Sequence, residues 1–444
     1  MSGAGEGTSQ GQPSRPAPRF PFIARQFPPF TPRQWRVFAI ALTASFFDNY
    51  DDALLSLALP QIQRALAIAE AQVGNMLSAI RLGYVVSLVI TPMADVFGRR
   101  RMLLYTIVGY TVFTGLSALA AHQREFVGAQ FLARGFAGAE SSTAWVILAE
   151  EVDAAVRGWA IGMLDALGST GYGLAAMVFA AIKIVPYGWR GLYALALLPL
   201  VLLIPLRRTL PESRRFEYEA QIGAAPLHPL GSLALLVRLS PQRLMAITSV
   251  TFLNSMGWAA ASLFFPKFLQ EVHGWSPAQV SGLVVFGGVI GITGSIVAGR
   301  LSDRFGRRTM GSLFMFVTPL FAILMYTVPG PAMIPAWIVR LFTQFAGLVV
   351  LHAYGTELFP TSHRSAASSA LTVASCLGGA GGLSLESVLY KLTGSYSNAI
   401  RLLSLVSLIA AVIMFVSFPE TAGRELEETA SDNLLQLPPE ALTT

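Results

Sequence analysis

Charged side chains occur inside three long apolar stretches of the first half of the chain, where ionisable groups are costly and usually mark substrate pathways or proton relays. The first stretch carries Asp48, Asp51 and Asp52, the second carries Arg81, and the fourth carries Arg134. Counted at about 1.5 Å per residue along a helix, Asp48, Arg81 and Arg134 lie at similar depths, roughly 20 to 24 Å from one end. Because Asp48 shares a helix face with Asp51 and Asp52, the sequence predicts carboxylates against arginines near the middle of a membrane.

Such a cluster could load and release a proton. Burial and a neighbouring carboxylate raise the pKa of an aspartate, whereas a nearby arginine lowers it, so movement of the arginine changes the proton affinity. We therefore predict that Asp48, Asp51, Arg81 and Arg134 take part in proton coupling. The alternative is a static buried ion pair that fixes helix packing. Asp52 is left out, because adjacent Asp51 and Asp52 are not expected to face one cavity.

The elements that position these residues must be membrane helices. Hydrophobic residues make up 53% of the 444 residues and charged residues only 13%, whereas about a quarter of an ordinary soluble domain is charged. Runs of about 20 apolar residues, enough to cross roughly 30 Å of hydrocarbon, predict twelve helices. They begin near residues 35, 71, 101, 125, 157, 188, 243, 276, 309, 333, 365 and 397.

The chain contains one unit twice. The loop from Asp95 to Arg100 recurs 208 positions later from Asp303 to Arg308, and offsets between 206 and 208 relate further pairs along the chain. Repeat-built membrane bundles commonly bind solute at the repeat interface. We predict an all-α membrane protein of two six-helix halves, with a disordered cytoplasmic tail before them, a cytoplasmic loop between them and a cytoplasmic tail after them. These five parts are residues 1–32, 33–206, 207–242, 243–418 and 419–444.

The two halves differ where the first carries its acidic cluster. Asp51 corresponds to Trp258, and the segment from Asn254 to Trp258 contains no acid. Proton chemistry is therefore predicted for the first half. The residues predicted to bind a substrate are Asn254, Trp258, Arg340, Gln344 and Tyr84.

Arg340 and Trp258 indicate the kind of substrate. An arginine without a counter-charge in a low-dielectric cavity attracts a carboxylate or a phosphate, and tryptophan provides a flat apolar wall. The pair favours an organic anion, including an aromatic one. The alternative is that Arg340 is a structural partner of Glu386 or of a backbone carbonyl.

Arginines mark one side of the predicted bundle. They cluster at residues 99–101, 207–215 and 300–308, and cytoplasmic loops are enriched in Lys and Arg. Both termini are therefore expected in the cytoplasm. The net charge of +6 is then a topology signal and not a nucleic-acid footprint. A single cysteine, Cys376, excludes an internal disulfide and a cysteine-based metal site.

These motifs resemble the major facilitator superfamily, in particular its sugar-porter-related branch. The resemblance rests on the two Asp-x-x-Gly-Arg-Arg loops, on two Glu-x(6)-Arg elements, and on the Pro-Glu-Ser and Pro-Glu-Thr segments that begin at Pro211 and Pro419. In helix 1, the segment from Asp48 to Asp51 resembles the Asp-Gly-aromatic-Asp element of the aromatic-acid and metabolite:proton symporters, with Asn49 in place of glycine. The resemblance implies the major facilitator fold in a bacterial inner (plasma) membrane.

The resemblance also implies a gating role for the repeated motifs. Asp95 is expected near Arg157 and close to the opposite half, closing the cytoplasmic side in the outward-facing state. Glycine in each loop permits a tight turn. The alternative is a solvated loop that only orients the protein. The predicted gating residues are Asp95, Gly98, Arg99, Glu150, Arg157, Asp303, Gly306, Arg307, Glu357 and Arg364.

We therefore expect a secondary active transporter that moves a small organic solute, favouring an organic carboxylate, by proton symport with alternating access. A sugar, amine or drug transporter of the same superfamily, including a proton-coupled exporter, is the alternative. The sequence carries no nucleophile motif and no metal-ligand spacing, so an enzyme is not expected. The expected partners are the solute, protons and the lipid bilayer, with no cofactor, no metal and no nucleic acid, and the expected oligomeric state is a monomer.

Overall fold

The computed structural model describes residues 30–152, 160, 163–164, 166–197, 237–238, 240–359 and 364–422. Every regular element within these residues is helical. We number the membrane helices, as far as they are described, α1 (Pro32–Leu57), α2 (Glu70–Ile90), α3 (Arg99–Leu119), α4 (Gln123–Glu151), α5 (Ala166–Ala180), α6 (Trp189–Leu195), α7 (Pro241–Leu263), α8 (Pro277–Phe305), α9 (Arg307–Met325), α10 (Met333–Glu357), α11 (Arg364–Thr393) and α12 (Tyr396–Ser417).

The helix starts agree closely with the sequence prediction. Helices expected from residues 35 and 309 begin at Pro32 and Arg307. Proline stands in the first turn of α1, α7 and α8, where its missing N–H costs no hydrogen bond. The predicted start of the fifth helix near residue 157, most of the inter-half loop and most of both tails lie outside the described residues.

Eight of the described helices are long and apolar enough to cross a membrane, namely α2, α3 and α7 to α12. α1 and α4 are less apolar because they carry charged and polar residues inside the bundle. Such residues are tolerated at membrane depth when they face the protein interior. The most polar helices are therefore those expected to carry chemistry.

The turns at Gly98 and Gly306 lie on one side of the bundle, here called the motif side. Both adopt nearly the same backbone conformation, with φ of 94° and 93°, a region that glycine enters without steric penalty. The two copies of the loop therefore share one geometry, and each leads directly into the next helix.

The two halves meet most closely through α2 with α11 and through α5 with α8. A buried apolar cluster joins them away from the motif side and includes Leu54, Leu77, Phe264 and Leu383. Short helices, Leu59–Ala65 and Phe265–Glu271, follow α1 and α7 on that side. The contacts that hold the halves together thus concentrate on the side opposite the glycine turns.

Candidate functional site

A buried arginine on α4 gathers three carboxylates from α1. Arg134 is 1% exposed, and its two terminal nitrogens lie 3.1 Å from Asp51, 3.2 Å from Asp52 and 4.0 Å from Asp48. The side chain of Asp51 is fully buried, whereas that of Asp52 is 47% exposed. One guanidinium thus faces three acids, so the group retains excess negative charge unless the carboxylates bind protons.

Polar neighbours on α2 and α4 complete this carboxylate cluster. Ser141 donates to Asp48 at 3.1 Å, and Arg134 donates to the hydroxyl of Tyr84 at 3.4 Å. Glu140, which is 2% exposed, interacts electrostatically with Asp48. Tyr84, predicted to bind substrate, therefore lies beside the carboxylates.

Two expectations about the cluster were wrong. Asp51 and Asp52 do face one site, because their carboxylates approach different nitrogens of the Arg134 guanidinium. Arg81 was expected against the carboxylates but forms no ion pair with any described residue. Its guanidinium lies 5.4 Å above the ring of Trp258 in the second half, because α2 packs on α11 and directs this side chain across the interface.

The second half contains a pocket with the opposite electrostatic character. Four residues predicted to bind substrate, Asn254, Trp258, Arg340 and Gln344, all line it. Gly257, Ala261, Thr318, Pro319, Ala322, Ser404 and Ser407 complete its wall. These four residues, predicted from the sequence, therefore lie in one site, to which α7 and α10 contribute them and α9 and α12 contribute further wall residues.

Arg340 has no counter-ion in the part of the chain that the structure describes. It is 2% exposed, one terminal nitrogen donates to Ser262 at 2.8 Å, and its Nε has no hydrogen-bond partner. The Oε1 atom of Gln344 is likewise buried without a partner. The alternative pairing of Arg340 with Glu386 is not found. Buried groups left in this way are the ones a bound solute can satisfy.

A second network, which the sequence analysis did not anticipate, joins the halves on the side away from the motif side. Lys267 is fully buried, and its ammonium lies 2.6 Å from Glu70 of the first half and 3.5 Å from Glu271. It also donates to Gln63. His273, whose ring packs edge-on against Phe268, has its pKa lowered by burial.

Further contacts flank Lys267. Ser56 donates to the carbonyl of Leu263 at 3.1 Å, and Gln61 donates to Gln270 at 2.8 Å. Ser56 and Leu263 are 207 positions apart, the offset of the repeat, so equivalent helix ends meet across the pseudo-two-fold axis. We call this set the opposite-side seal: Ser56, Gln61, Gln63, Glu70, Lys267 and Gln270.

On the motif side of the second half, the described gating residues interact within that half. Arg307 pairs with Glu357 and, at 3.3 Å, with Asp303. Glu420 accepts hydrogen bonds from the backbone N–H groups of Arg307 and Arg308 at 2.7 and 3.2 Å. A carboxylate is stabilised at this position because the first N–H groups of a helix have no intrahelical partner.

Several gating predictions fall wholly or partly outside the described residues. Arg157 is outside them altogether, and the side chains of Asp95, Glu150 and Arg364 are also outside. Arg99 is buried at the start of α3, directly after Gly98. The expected approach of Asp95 to Arg157 stays a prediction.

Comparison with known proteins identifies the family. Residues 41–383 and 247–439 match the Major Facilitator Superfamily. The chain belongs to this superfamily. It is therefore an integral, multi-pass membrane transporter and not an enzyme.

Similar proteins share little sequence identity with this chain but match it over most of its length. The 4-hydroxybenzoate transporter PcaK of Pseudomonas aeruginosa is 26% identical over 66% of this chain and 72% of its own length. A protein named "probable 4-methylmuconolactone transporter" of Cupriavidus pinatubonensis is 26% identical over 89% of this chain and 93% of its own. The inward open conformation of the xylose transporter XylE from E. coli is 18% identical, covers 89% of this chain and 99% of its own, and has a TM-score of 0.72. The fold prediction is thereby confirmed.

The sequence analysis passed over Lys267, which follows an aromatic run in the second half. It is an ionisable group in apolar surroundings, and that signal could have singled it out. Glu420 stood in the Pro-Glu-Thr segment that marked the repeat, yet repetition alone did not indicate which helix end it would contact.

Proposed function

We propose that this transporter is a proton symporter that imports an organic carboxylate, with aromatic acids as the favoured class. The single observation that carries the proposal is the division of charge between the halves. Arg134 faces three carboxylates, whereas Arg340 faces none among the described residues. One half thus has the groups to bind a proton, and the other has the groups to bind an anion.

The carboxylate cluster supports proton coupling through its charge balance. A single guanidinium cannot neutralise Asp48, Asp51 and Asp52 together, so an added proton relieves repulsion between carboxylates. Asp51, which is fully buried, is proposed to carry that proton, with Asp48 as its partner. A closer approach of Arg134 to α1 would then release the proton, because a nearby arginine opposes protonation of an acid.

The pocket lined by Asn254, Trp258, Arg340 and Gln344, here called the arginine pocket, supports the proposal of an anionic solute. Arg340 and Gln344 offer a donor and an acceptor, and Trp258 and Pro319 offer an apolar wall. Arginine binds a carboxylate through two parallel N–H groups, which fixes its orientation. Two relatives named for 4-hydroxybenzoate and 4-methylmuconolactone agree with this class.

The opposite-side seal supports an inward-facing state. The cross-half contacts of Lys267, Gln61 and Ser56 close the side away from the glycine turns. We place the motif side, with both termini, in the cytoplasm of a bacterial cell, because arginines concentrate there. Breaking the seal would then be the step that opens the site to the outside, and the protein is proposed to work as a monomer in the inner membrane.

Reconstitution into liposomes tests the proposal. With an acidic exterior, the protein should accumulate 4-hydroxybenzoate, and a protonophore should abolish the accumulation. The neutral analogue 4-hydroxybenzamide and D-xylose should not be accumulated, because neither carries the negative charge that Arg340 requires. Accumulation of D-xylose in place of the acid, or accumulation of the acid that ignores the proton gradient, would contradict it.

A further inference from the structure

Arg81 is a second guanidinium in the interface without an acidic partner. Its Nε is buried and has no hydrogen-bond partner, and the salt bridges formed by the described residues do not include it. Its backbone carbonyl accepts from the thiol of Cys376 on α11 at 3.3 Å, so the arginine is seated against the second half. An unpaired charge at membrane depth is costly and usually marks a binding site or a pathway.

Arg81 is partly buried, and its guanidinium lies against the second half. The group packs against the bare backbone of Gly379, where a side-chain Cβ would lie only 2.7 Å from its central carbon. It also lies 5.4 Å from the centre of the Trp258 ring. Glycine at this position therefore provides the room that the guanidinium occupies.

Trp258 connects Arg81 with the arginine pocket. The same indole that lies under the Arg81 guanidinium also lines the pocket of Arg340. Two guanidinium groups without acidic partners in the described parts of the chain thus lie beside one flat apolar ring. A solute with a single carboxylate would satisfy only one of them.

We infer that the site takes a dianion, a solute with a carboxylate at each end of a flat apolar body. Arg340 would bind one carboxylate, Arg81 the other, and Trp258 would contact the body between them. Each charged hydrogen-bonded contact of this kind contributes substantially to affinity. Arg81 is therefore a specificity residue that distinguishes dicarboxylates from monocarboxylates. This inference rests on the proposed function, because it takes Arg340 as an anion-binding group.

The test compares two probes that differ by one carboxylate, terephthalate and benzoate, both fully ionised at neutral pH. Binding to purified protein is measured by titration calorimetry for the unaltered chain and for Arg81→Gln. We expect terephthalate to bind roughly tenfold or more tightly than benzoate. In Arg81→Gln this advantage should disappear while benzoate affinity stays within about twofold. Arg81→Lys should retain part of the advantage, because it keeps the charge without the planar fork.

Controls separate the inference from the proposed function. Arg124→Gln makes the same chemical change at an exposed position and should leave both affinities unchanged. If benzoate binds but terephthalate binds no better, or if Arg81→Gln weakens both probes equally, the dianion inference is wrong and the proposed function stands. If neither probe binds while D-xylose does, the proposed function fails as well.

Discussion

Arg134 and Arg340 occupy equivalent positions in the two halves, 206 residues apart, yet their surroundings differ completely. Arg134 contacts three aspartates, whereas Arg340 donates to one serine and lines a pocket with Trp258. A duplicated frame thus keeps the buried arginine and changes what faces it. The helix opposite each arginine decides the chemistry: α1 supplies acids, and α7 supplies an aromatic ring and an amide.

The difference shows how one repeat can serve two purposes. A charge near the middle of the membrane is costly in either half, so each copy needs compensation. In the first half the protein provides that compensation itself. In the second half we propose that the transported anion provides the compensating charge. The empty site would then hold an uncompensated arginine, and binding and release of the anion would shift the conformational equilibrium.

The largest expected effect comes from removing the first half's proton site. Asp51→Asn keeps size and hydrogen bonding but cannot bind and release a proton. We expect proton-driven accumulation to be lost in proteoliposomes while counterflow exchange of solute remains partly intact. Asp48→Asn should act similarly, and Asp52→Asn, at a position 47% exposed, should act less. Normal accumulation in both Asp51→Asn and Asp48→Asn would mean that neither aspartate carries the coupled proton.

A transplanted acid should erase the difference between the halves. Trp258→Asp places a carboxylate at the position equivalent to Asp51, beside Arg340. It should reduce binding of a carboxylate solute by roughly a hundredfold, because the arginine gains an internal partner. Trp258→Asn is the matched control, since it removes the same ring without adding charge. Equal binding of benzoate by the two variants would mean that an acid at this position does not neutralise Arg340.

Substitutions of Arg340 test whether this residue binds the anion. Arg340→Lys should weaken the apparent affinity severalfold, since an ammonium cannot make the planar two-point contact with a carboxylate. Arg340→Gln should weaken it further while the amount of protein in the membrane stays near normal. Concentration-dependent uptake and membrane yield are measured together. Full affinity in Arg340→Gln would point to a neutral or cationic solute.

The sequence predicted the frame and the second-half pocket because both depend on patterns within helices. Asn254 and Trp258 lie four residues apart, as do Arg340 and Gln344, so each pair shares a helix face. Arg81 could not be placed in this way. The depth of Arg81 along its helix can be estimated from the sequence. The direction of its side chain depends on how α2 packs on α11, which periodicity does not reveal.

The opposite-side seal illustrates the same limit. Lys267 and Glu70 are 197 positions apart and belong to different halves, so no local pattern connects them. Only the docking of the halves creates the pair. A lysine in an apolar run could have been marked as unusual, but its partner could not have been named.

Weakening the opposite-side seal should moderately increase the separation of the halves on that side, and labelling of a cysteine at the interface can measure it. Cys376, the single cysteine, is 7% exposed at the interface. Lys267→Met leaves Glu70 without its cationic partner and should favour separation of the halves on that side, raising the maleimide labelling rate of Cys376 severalfold. Arg64→Gln is the control, because Arg64 is 71% exposed and lies 3.7 Å from Glu271. Equal labelling of the unaltered protein and Lys267→Met would mean that the seal does not hold the halves together.

The smallest expected effect concerns the cap that Glu420 forms on α9, far from either arginine. Its carboxylate accepts from two backbone N–H groups at a helix N-terminus, and an interaction of this kind contributes about 1 kcal/mol. Glu420→Gln keeps an acceptor oxygen but loses the charge, so the thermal unfolding midpoint should fall by a few degrees while benzoate affinity stays unchanged. Asp303→Asn, at a side chain 66% exposed, should shift the midpoint less, since surface ion pairs contribute little. If Glu420→Gln instead lowers benzoate affinity at an unchanged midpoint, the motif side and the pocket around Arg340 are coupled directly.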